Sequence, residues 1–303
     1  MYPFKVGVVG IPEKWSTEAL ADELEKRTGF RQVFSLSEVS VYSDGTCLLN
    51  GQDLSTFDAL VVKKITQEYS SHTLDSVEIL KAIERAGVRL FSPAGEIARL
   101  VNRASCTQAL LQAGVPMPPS LLTGNVQDAV NAVVQWGGAV FKPLYSTKGR
   151  GMILLDPSES ENRLRQQVHE FQQSNPLLYV QKKIDLSGQD LGLVFLAGQY
   201  QGAYARVAPD GHWQTTLQAG GHYAPFRPTQ AVIDLAKKAQ DVFNLDFTTV
   251  DVALTPGGAV VFEVSAFGGF KGAKEGAGLD APALYAQSVC DKLSVSETGQ
   301  THA

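Results

Sequence analysis

A chain of 303 residues, 44% apolar and 19% charged, has enough material for two or three domains and a sizeable core. Its net charge of -5 argues against non-specific binding to nucleic acid or to an anionic membrane. Cys47, Cys106 and Cys290 are far apart and offer neither a disulfide framework nor metal-ligand spacing, and no apolar run reaches the ~20 residues of a membrane span, so a soluble protein of the reducing cytoplasm is expected.

The chain opens as β then α. Residues 5–10, KVGVVG, form an apolar run closed by glycine, and residues 16–27 carry apolar side chains at helical spacing behind a Ser16 or Thr17 cap. Apolar runs at 31–36, 59–63 and 88–91, with a helical segment at 76–86, continue the alternation of a small parallel sheet. The run from Val8 to Pro12 lacks the G-x-G-x-x-G spacing of a dinucleotide fingerprint. Lys63 and Lys64 end a strand, where open α/β sheets place their ligands, which makes them a candidate anion site. Exposed lysines opening a loop are the plainer reading.

Ser92-Pro93 interrupts the pattern. Residues 95–113 read as one or two helices up to Gly114, and the prolines of 115–119, VPMPP, make a stiff extended crossing. A helix over 126–136, a Gly137-Gly138 break and the strand 139–143, AVFKP, lead into 146–151, STKGRG, and a second strand at 152–155. A lysine closing an apolar strand before a loop of small, glycine and basic residues suits the covering of a polyphosphate. Glycines let backbone N–H groups approach the oxygens, and Lys142, Lys148 and Arg150 offset their charge. A solvated hairpin loop would look the same. Beyond a helix near 161–173 come a strand at 177–183, Asp190, and apolar strands near 193–196 and 202–207. The glycine turn Gln218-Ala219-Gly220-Gly221 and a helix over 229–243 follow. Arg206, inside one of those strands, is expected to reach an anion or a buried acid.

Residues 248–274 read TTVDVALTPGGAVVFEVSAFGGFKGAK. Two apolar strands, 250–254 and 259–264, are joined by Pro256-Gly257-Gly258, strong turn chemistry. Asp251 interrupts one strand and Glu263 the other, and folding the hairpin brings both carboxylates toward one end of one sheet face. Two buried carboxylates repel unless something positive lies between them, and Mg²⁺ is the oxygen-seeking candidate. The alternative is that one acid caps a turn and the other meets a lysine. Gly268, Gly269 and Gly272 read as a loop carrying Lys271 and Lys274, where a fixed ammonium would help a substrate carboxylate approach a phosphate. A solubilising pair neutralised by Glu275 is the other reading. The last residues, SVSETGQTHA, read as a disordered tail.

The order of parts is specific: Lys142 on its strand, the glycine loop, VQKKI at 180–184, Asp190, Arg206, a Gly-Gly turn, a helix, VDV at 250–252 and FEVS at 262–265. It resembles the ATP-grasp superfamily, and within it the RimK-like ligases, over residues 92–293. Gly272-Ala273-Lys274 also resembles the signature of the GAK-system ATP-grasp group. The resemblance implies an α/β and α+β architecture, an ATP-grasp fold behind an N-terminal Rossmann-like pre-ATP-grasp domain. Its divisions would be 1–92 for that domain, 93–180 for a central subdomain with the phosphate-covering loop, 181–293 for a C-terminal subdomain with the Mg²⁺ site, and 294–303 for the tail.

By the same resemblance, ATP lies between the two subdomains. Arg103 and Lys142 would approach its phosphates, with Ser146, Lys148, Gly149, Arg150 and Gly151 as a lid. Gln181, Lys182, Lys183 and Ile184 would meet adenine, Asp190 the ribose, and Arg206 the γ-phosphate. Asp251, Glu263 and Ser265 would hold Mg²⁺, with Mn²⁺ as a second candidate. The implied reaction is ATP-dependent carboxylate–amine ligation through an acylphosphate, releasing ADP and phosphate. Its partners would be a small-molecule or peptide carboxylate and an amine acceptor, and homo-oligomerisation is left open. Three positions depart from the family pattern. Ser265 stands where asparagine is common, Gly192 where an arginine follows the ribose acid by two residues, and Gln218-Ala219 where polar or basic residues are usual. They leave open a nucleotide-binding regulatory or partner protein without turnover, and the same ATP site could serve a phosphotransferase acting on a small substrate.

Overall fold

The computed structural model describes residues 1–300, with side chains as far as Val295. The chain begins with β1 (Val6–Val9), α1 (Trp15–Thr28) and β2 (Val33–Phe34), then β3 (Val39–Val41), β4 (Cys47–Leu49) and β5 (Gln52–Asp53), then β6 (Ala59–Val62), α2 (Thr73–Arg85) and β7 (Arg89–Phe91). β1 and β6 are buried along their whole length, as parallel strands covered on both faces must be. They form the centre of a parallel sheet of order β2-β1-β6-β7. β3, β4 and β5 make a separate antiparallel sheet. Its strands are two or three residues long, too short for an alternation to register in sequence.

α3 (Ala94–Val101) and α4 (Arg103–Gln112) are two helices because Asn102 leaves helical geometry between them. Its side chain accepts from the backbone N–H groups of Ala104 and Ser105 and so starts α4. β8 (Ser120–Thr123), α5 (Val126–Trp136), β9 (Ala139–Lys142), β10 (Ile153–Leu155), α6 (Glu161–Ser174) and β11 (Leu178–Lys182) follow. The strands form an antiparallel sheet of order β10-β9-β11-β8. Val130 and Val133 of α5 and Leu164 and Val168 of α6 share one buried cluster with Phe141 and Val180 of that sheet.

A third antiparallel sheet, ordered β14-β13-β12-β15-β16, comprises β12 (Gln189–Leu196), β13 (Gln199–Val207), β14 (His222–Pro225), β15 (Phe247–Thr255) and β16 (Gly258–Ser265), with α7 (Gln230–Asp241) between β14 and β15. Ala236 and Ala239 of α7 cluster with Leu193, Phe195, Val250 and Val252. α8 (Phe270–Ala277) packs on the same sheet beside Tyr204. α9 (Ala281–Gln300) returns to the N-terminal unit, where Tyr285, Val289 and Leu293 join Leu20 and Leu24 of α1 in one core. Residues 294–300 are therefore helical where the sequence pointed to a disordered tail. The stripe against α1 seats the helix, and the Ser294 hydroxyl continues it by donating to the Cys290 carbonyl at 3.0 Å. The remainder of that tail, 301–303, lies outside the described residues. Among the described residues all three cysteines are buried and free, and no helix is long and apolar enough to cross a membrane.

Candidate active site

One cleft is lined by the two larger antiparallel sheets, β10-β9-β11-β8 and β14-β13-β12-β15-β16. From the first come Lys142 on β9 and Gln181 and Lys182 on β11, followed by Lys183 and Ile184; from the second come Asp190, Arg206, Asp251 and Glu263. Arg103 from α4 and Lys148 and Gly149 from the loop between β9 and β10 complete the set.

The acids owe their placement to strand register. Pro256-Gly257 closes the β15–β16 hairpin, and Asp251 is then directly opposite Glu263. Directly opposed residues share a face, so both carboxylates enter the cleft. The register shifts just beyond this pair, Val252 meeting Val261, so Phe262 is an extra residue in β16. Such a bulge re-aims side chains, and Phe262 lines the cleft beside Glu263 where strict alternation would turn it away. β12 supplies the third acid: Asp190 faces Arg206 across the β12–β13 ladder.

Each acid has a cation in place. Arg206 Nε donates to Asp190 Oδ1 at 3.1 Å, its terminal nitrogen contacts Asp190 Oδ2, and the same nitrogen lies 2.9 Å from Asp251 Oδ2. Arg103 donates to Glu263 Oε2 at 2.7 Å and to the Pro143 carbonyl at 3.3 Å, linking the root of the 143–151 loop to the acid hairpin. Burial raises the Asp251 carboxyl and Glu263 raises it further, against the pull of Arg206. Burial also acts to raise Glu263, but Arg103 and Lys142 outweigh it and hold that group below the ordinary carboxylate range. Lys142 is pushed down to about 7 by burial, with Arg103 adding to the effect. Its ammonium donates to Gln181 Oε1 at 2.6 Å and lies 5.0 Å from the centre of the Phe262 ring.

Ser265, two residues on from Glu263, lines an adjoining cavity and not the cleft, which leaves Asp251 and Glu263 as an all-oxygen carboxylate pair. It fits a hard divalent cation, since Mg²⁺ is commonly bound by one or two carboxylates and takes its other ligands from phosphates and water. Among the described residues no three His, Cys, Asp or Glu side chains converge as a metal cluster. The carboxylate share of such a site is thus a pair. Ser265 and Ser146 line a cavity that adjoins the cleft at Arg103 and Glu263.

Several candidate residues lie elsewhere. Arg150 lines a separate surface pocket with Ser146 and Gly151, and its guanidinium meets Glu68 of the N-terminal unit at 2.5 Å, with no place on the cleft wall. Lys271 and Lys274 are not on a loop. They belong to α8, because its glycines serve close packing: a Cβ at Gly272 or Gly276 would come within 2.4 Å of Tyr204. Lys271 is exposed beside Glu275 at 3.8 Å, and Lys274 lies 5.4 Å from the Trp15 ring centre, in a groove away from the cleft. Gly192 has the same cause, since a Cβ there would stand 2.5 Å from the Tyr204 ring. Lys63 greets no soluble anion. It is 6% exposed and donates to the carbonyls of Phe267 at 2.6 Å and Gly268 at 2.9 Å. The cleft also holds Val140, Met152, Leu186, Phe262 and the run Trp213, Gln214, Thr215, Thr216, none of which the sequence reading selected. The lone tryptophan in the polar stretch PDGHWQTT was the one available signal.

Comparison with known proteins gives this arrangement a family. The profile of the RimK-like ATP-grasp domain matches residues 101–289. Tetrahydromethanopterin:alpha-L-glutamate ligase of Methanosarcina acetivorans is 25% identical over 264 residues, 82% of each chain. N-acetylaspartylglutamate synthase A of Mus musculus is 26% identical, covering 91% of this chain and 73% of its own. The ATP-grasp ligase PsnB complexed with its minimal precursor shares the fold at a TM-score of 0.74 and 18% identity, over 96% of this chain and 99% of that one. A second structure of PsnB contains Mg and ADP. With its cleft between two antiparallel sheets and a family profile covering most of its length, the chain belongs to the RimK-like ATP-grasp family and is an ATP-dependent ligase.

Proposed function

We propose that the protein is a carboxylate–amine ligase for an amino-acid or peptide substrate, working through an acylphosphate and releasing ADP and phosphate. The observation that carries this reading is the opposition of Asp251 and Glu263 on one cleft face, with Lys142, Arg103 and Arg206 around them. The curated relatives support the substrate class, being named as ligases or synthases that act with glutamate or form N-acetylaspartylglutamate.

In this reading the chain supplies position and charge. Lys142 and Arg103 receive the phosphates, Lys148 and Gly149 cover them, and Asp190 takes the ribose hydroxyls. Asp251, Glu263 and Ser265 would hold Mg²⁺, which would neutralise phosphate charge. Phosphoryl transfer to a carboxylate then forms the acyl–O–P bond and breaks the γ-phosphoryl bond to ADP, and amine attack forms the amide and expels phosphate. Such catalysis is mainly positioning and electrostatic stabilisation. Arg206 bridges Asp190 and Asp251, so its donors would turn to the γ-phosphate as those acids engage ribose and metal. Incubating the protein with Mg·ATP and a panel of amino acids and short peptides is expected to yield ADP and phosphate only when carboxylate and amine are both present. AMP and pyrophosphate as products would overturn the acylphosphate route.

A further inference from the structure

We propose that Trp213 is a base-stacking residue, and that residues 208–216 form a strap carrying its indole over the purine. The inference rests on the nucleotide reading of the cleft. The strap is anchored at two places. The Ala208 N–H donates to the Gly188 carbonyl at 2.8 Å, beside the segment that follows β11. At the other end Thr216 meets the loop between β9 and β10: a Cβ on Gly149 would stand 3.0 Å from the Thr216 methyl. The Gly221 N–H fixes that end by donating to the Thr216 carbonyl at 3.1 Å. Between these anchors Trp213, Gln214, Thr215 and Thr216 line the cleft.

Trp213 stands in the span, 37% exposed, and among the described residues its indole has no hydrogen bond, ion pair or ring contact. It lines the cleft with Ile184, Leu186, Met152 and Phe262, an apolar wall for a flat ring. Gln214, Thr215 and Thr216 continue toward Gly149, so the cleft-lining part of the strap passes from the apolar indole to polar side chains on the side of the phosphate-covering loop. A purine with its phosphates has the same polarity from end to end. An aromatic face on a base contributes affinity without reading hydrogen-bond edges, and so is tolerant of base identity.

The test uses a Trp15→Phe/Trp136→Phe protein, in which Trp213 is the remaining tryptophan, titrated with Mg·ADP and with Mg·tripolyphosphate. Mg·ADP is expected to change the indole emission saturably, and Mg·tripolyphosphate to leave it unchanged. By calorimetry on the otherwise native chain, Trp213→Ala should weaken Mg·ADP by about tenfold, and Trp213→Phe should restore most of the loss. Emission unmoved by saturating Mg·ADP overturns the proposal, as does an equal loss of ADP and tripolyphosphate affinity in Trp213→Ala. If Mg·ADP fails to bind the native chain at all, the nucleotide reading and this inference fall together; binding without a Trp213 response removes this inference alone.

Discussion

Lys142 closes β9, Lys63 follows the last residue of β6, and burial lowers both ammonium groups to about 7. Their surroundings differ in kind. Lys142 makes one hydrogen bond, to the Gln181 side chain, and stands over Phe262 on the wall of the cleft. Lys63 donates to two backbone carbonyls just beyond β16 and lies 3.8 Å from the centre of the Phe270 ring. An ammonium has three donors. Lys142 retains donors for a ligand, whereas Lys63 fastens the N-terminal sheet to the chain leaving the acid hairpin. What a strand-end lysine can offer a ligand depends on what its neighbours leave free, and burial alone does not distinguish the two cases.

The larger effect is expected on the cleft side. Lys142→Met should weaken Mg·ADP by about 10- to 100-fold in calorimetry, the scale of a hydrogen bond to a charged group. Full affinity in that variant would remove Lys142 from the phosphate end. The smaller effect belongs to Lys63. Lys63→Met should leave Mg·ADP affinity within about threefold while lowering stability in urea by about 1–3 kcal/mol, because two buried carbonyls lose their donor. The pH dependence sharpens the contrast. With a folded pKa near 7 against 10.5 for the free group, the unfolded chain binds the additional proton between those values, so stability from this lysine rises with pH across that window. Urea midpoints at pH 7 and pH 9 should therefore separate more in the native chain than in Lys63→Met. The carbonyls and the ring face favour the charged form and reduce the size of that rise without changing its sign.

The acid hairpin was legible because turn chemistry and strand alternation agree: Pro256-Gly257 fixes the register that opposes Asp251 to Glu263. Phe262 was not, since it reaches the cleft through a bulge that alternation cannot anticipate. The glycines of α8 misled for a related reason. Gly272 looked like a loop residue, but its cause, like that of Gly276, is the Tyr204 ring, 68 residues from Gly272 in sequence, and Gly192 answers to the same ring. Arg150 had the right chemistry for a phosphate lid, yet its partner Glu68 belongs to another sheet's loops. What was readable was encoded within one strand pair or one turn; what was missed depends on contacts between units distant along the chain.

The proposed joint action of Asp251 and Glu263 on a Mg²⁺-bound nucleotide is tested most directly by Glu263→Gln, because size and hydrogen-bonding capacity are kept while one anionic oxygen donor is removed. The measurement is ADP affinity with and without Mg²⁺ in the native and Glu263→Gln proteins, alongside their ligand-free melting temperatures. The native chain should bind ADP more tightly with Mg²⁺, and the variant should bind it equally with or without the metal while melting near the native temperature. A variant that melts far lower without ligand yet keeps the full Mg²⁺ dependence would make Glu263 a structural partner of Arg103 and contradict the account.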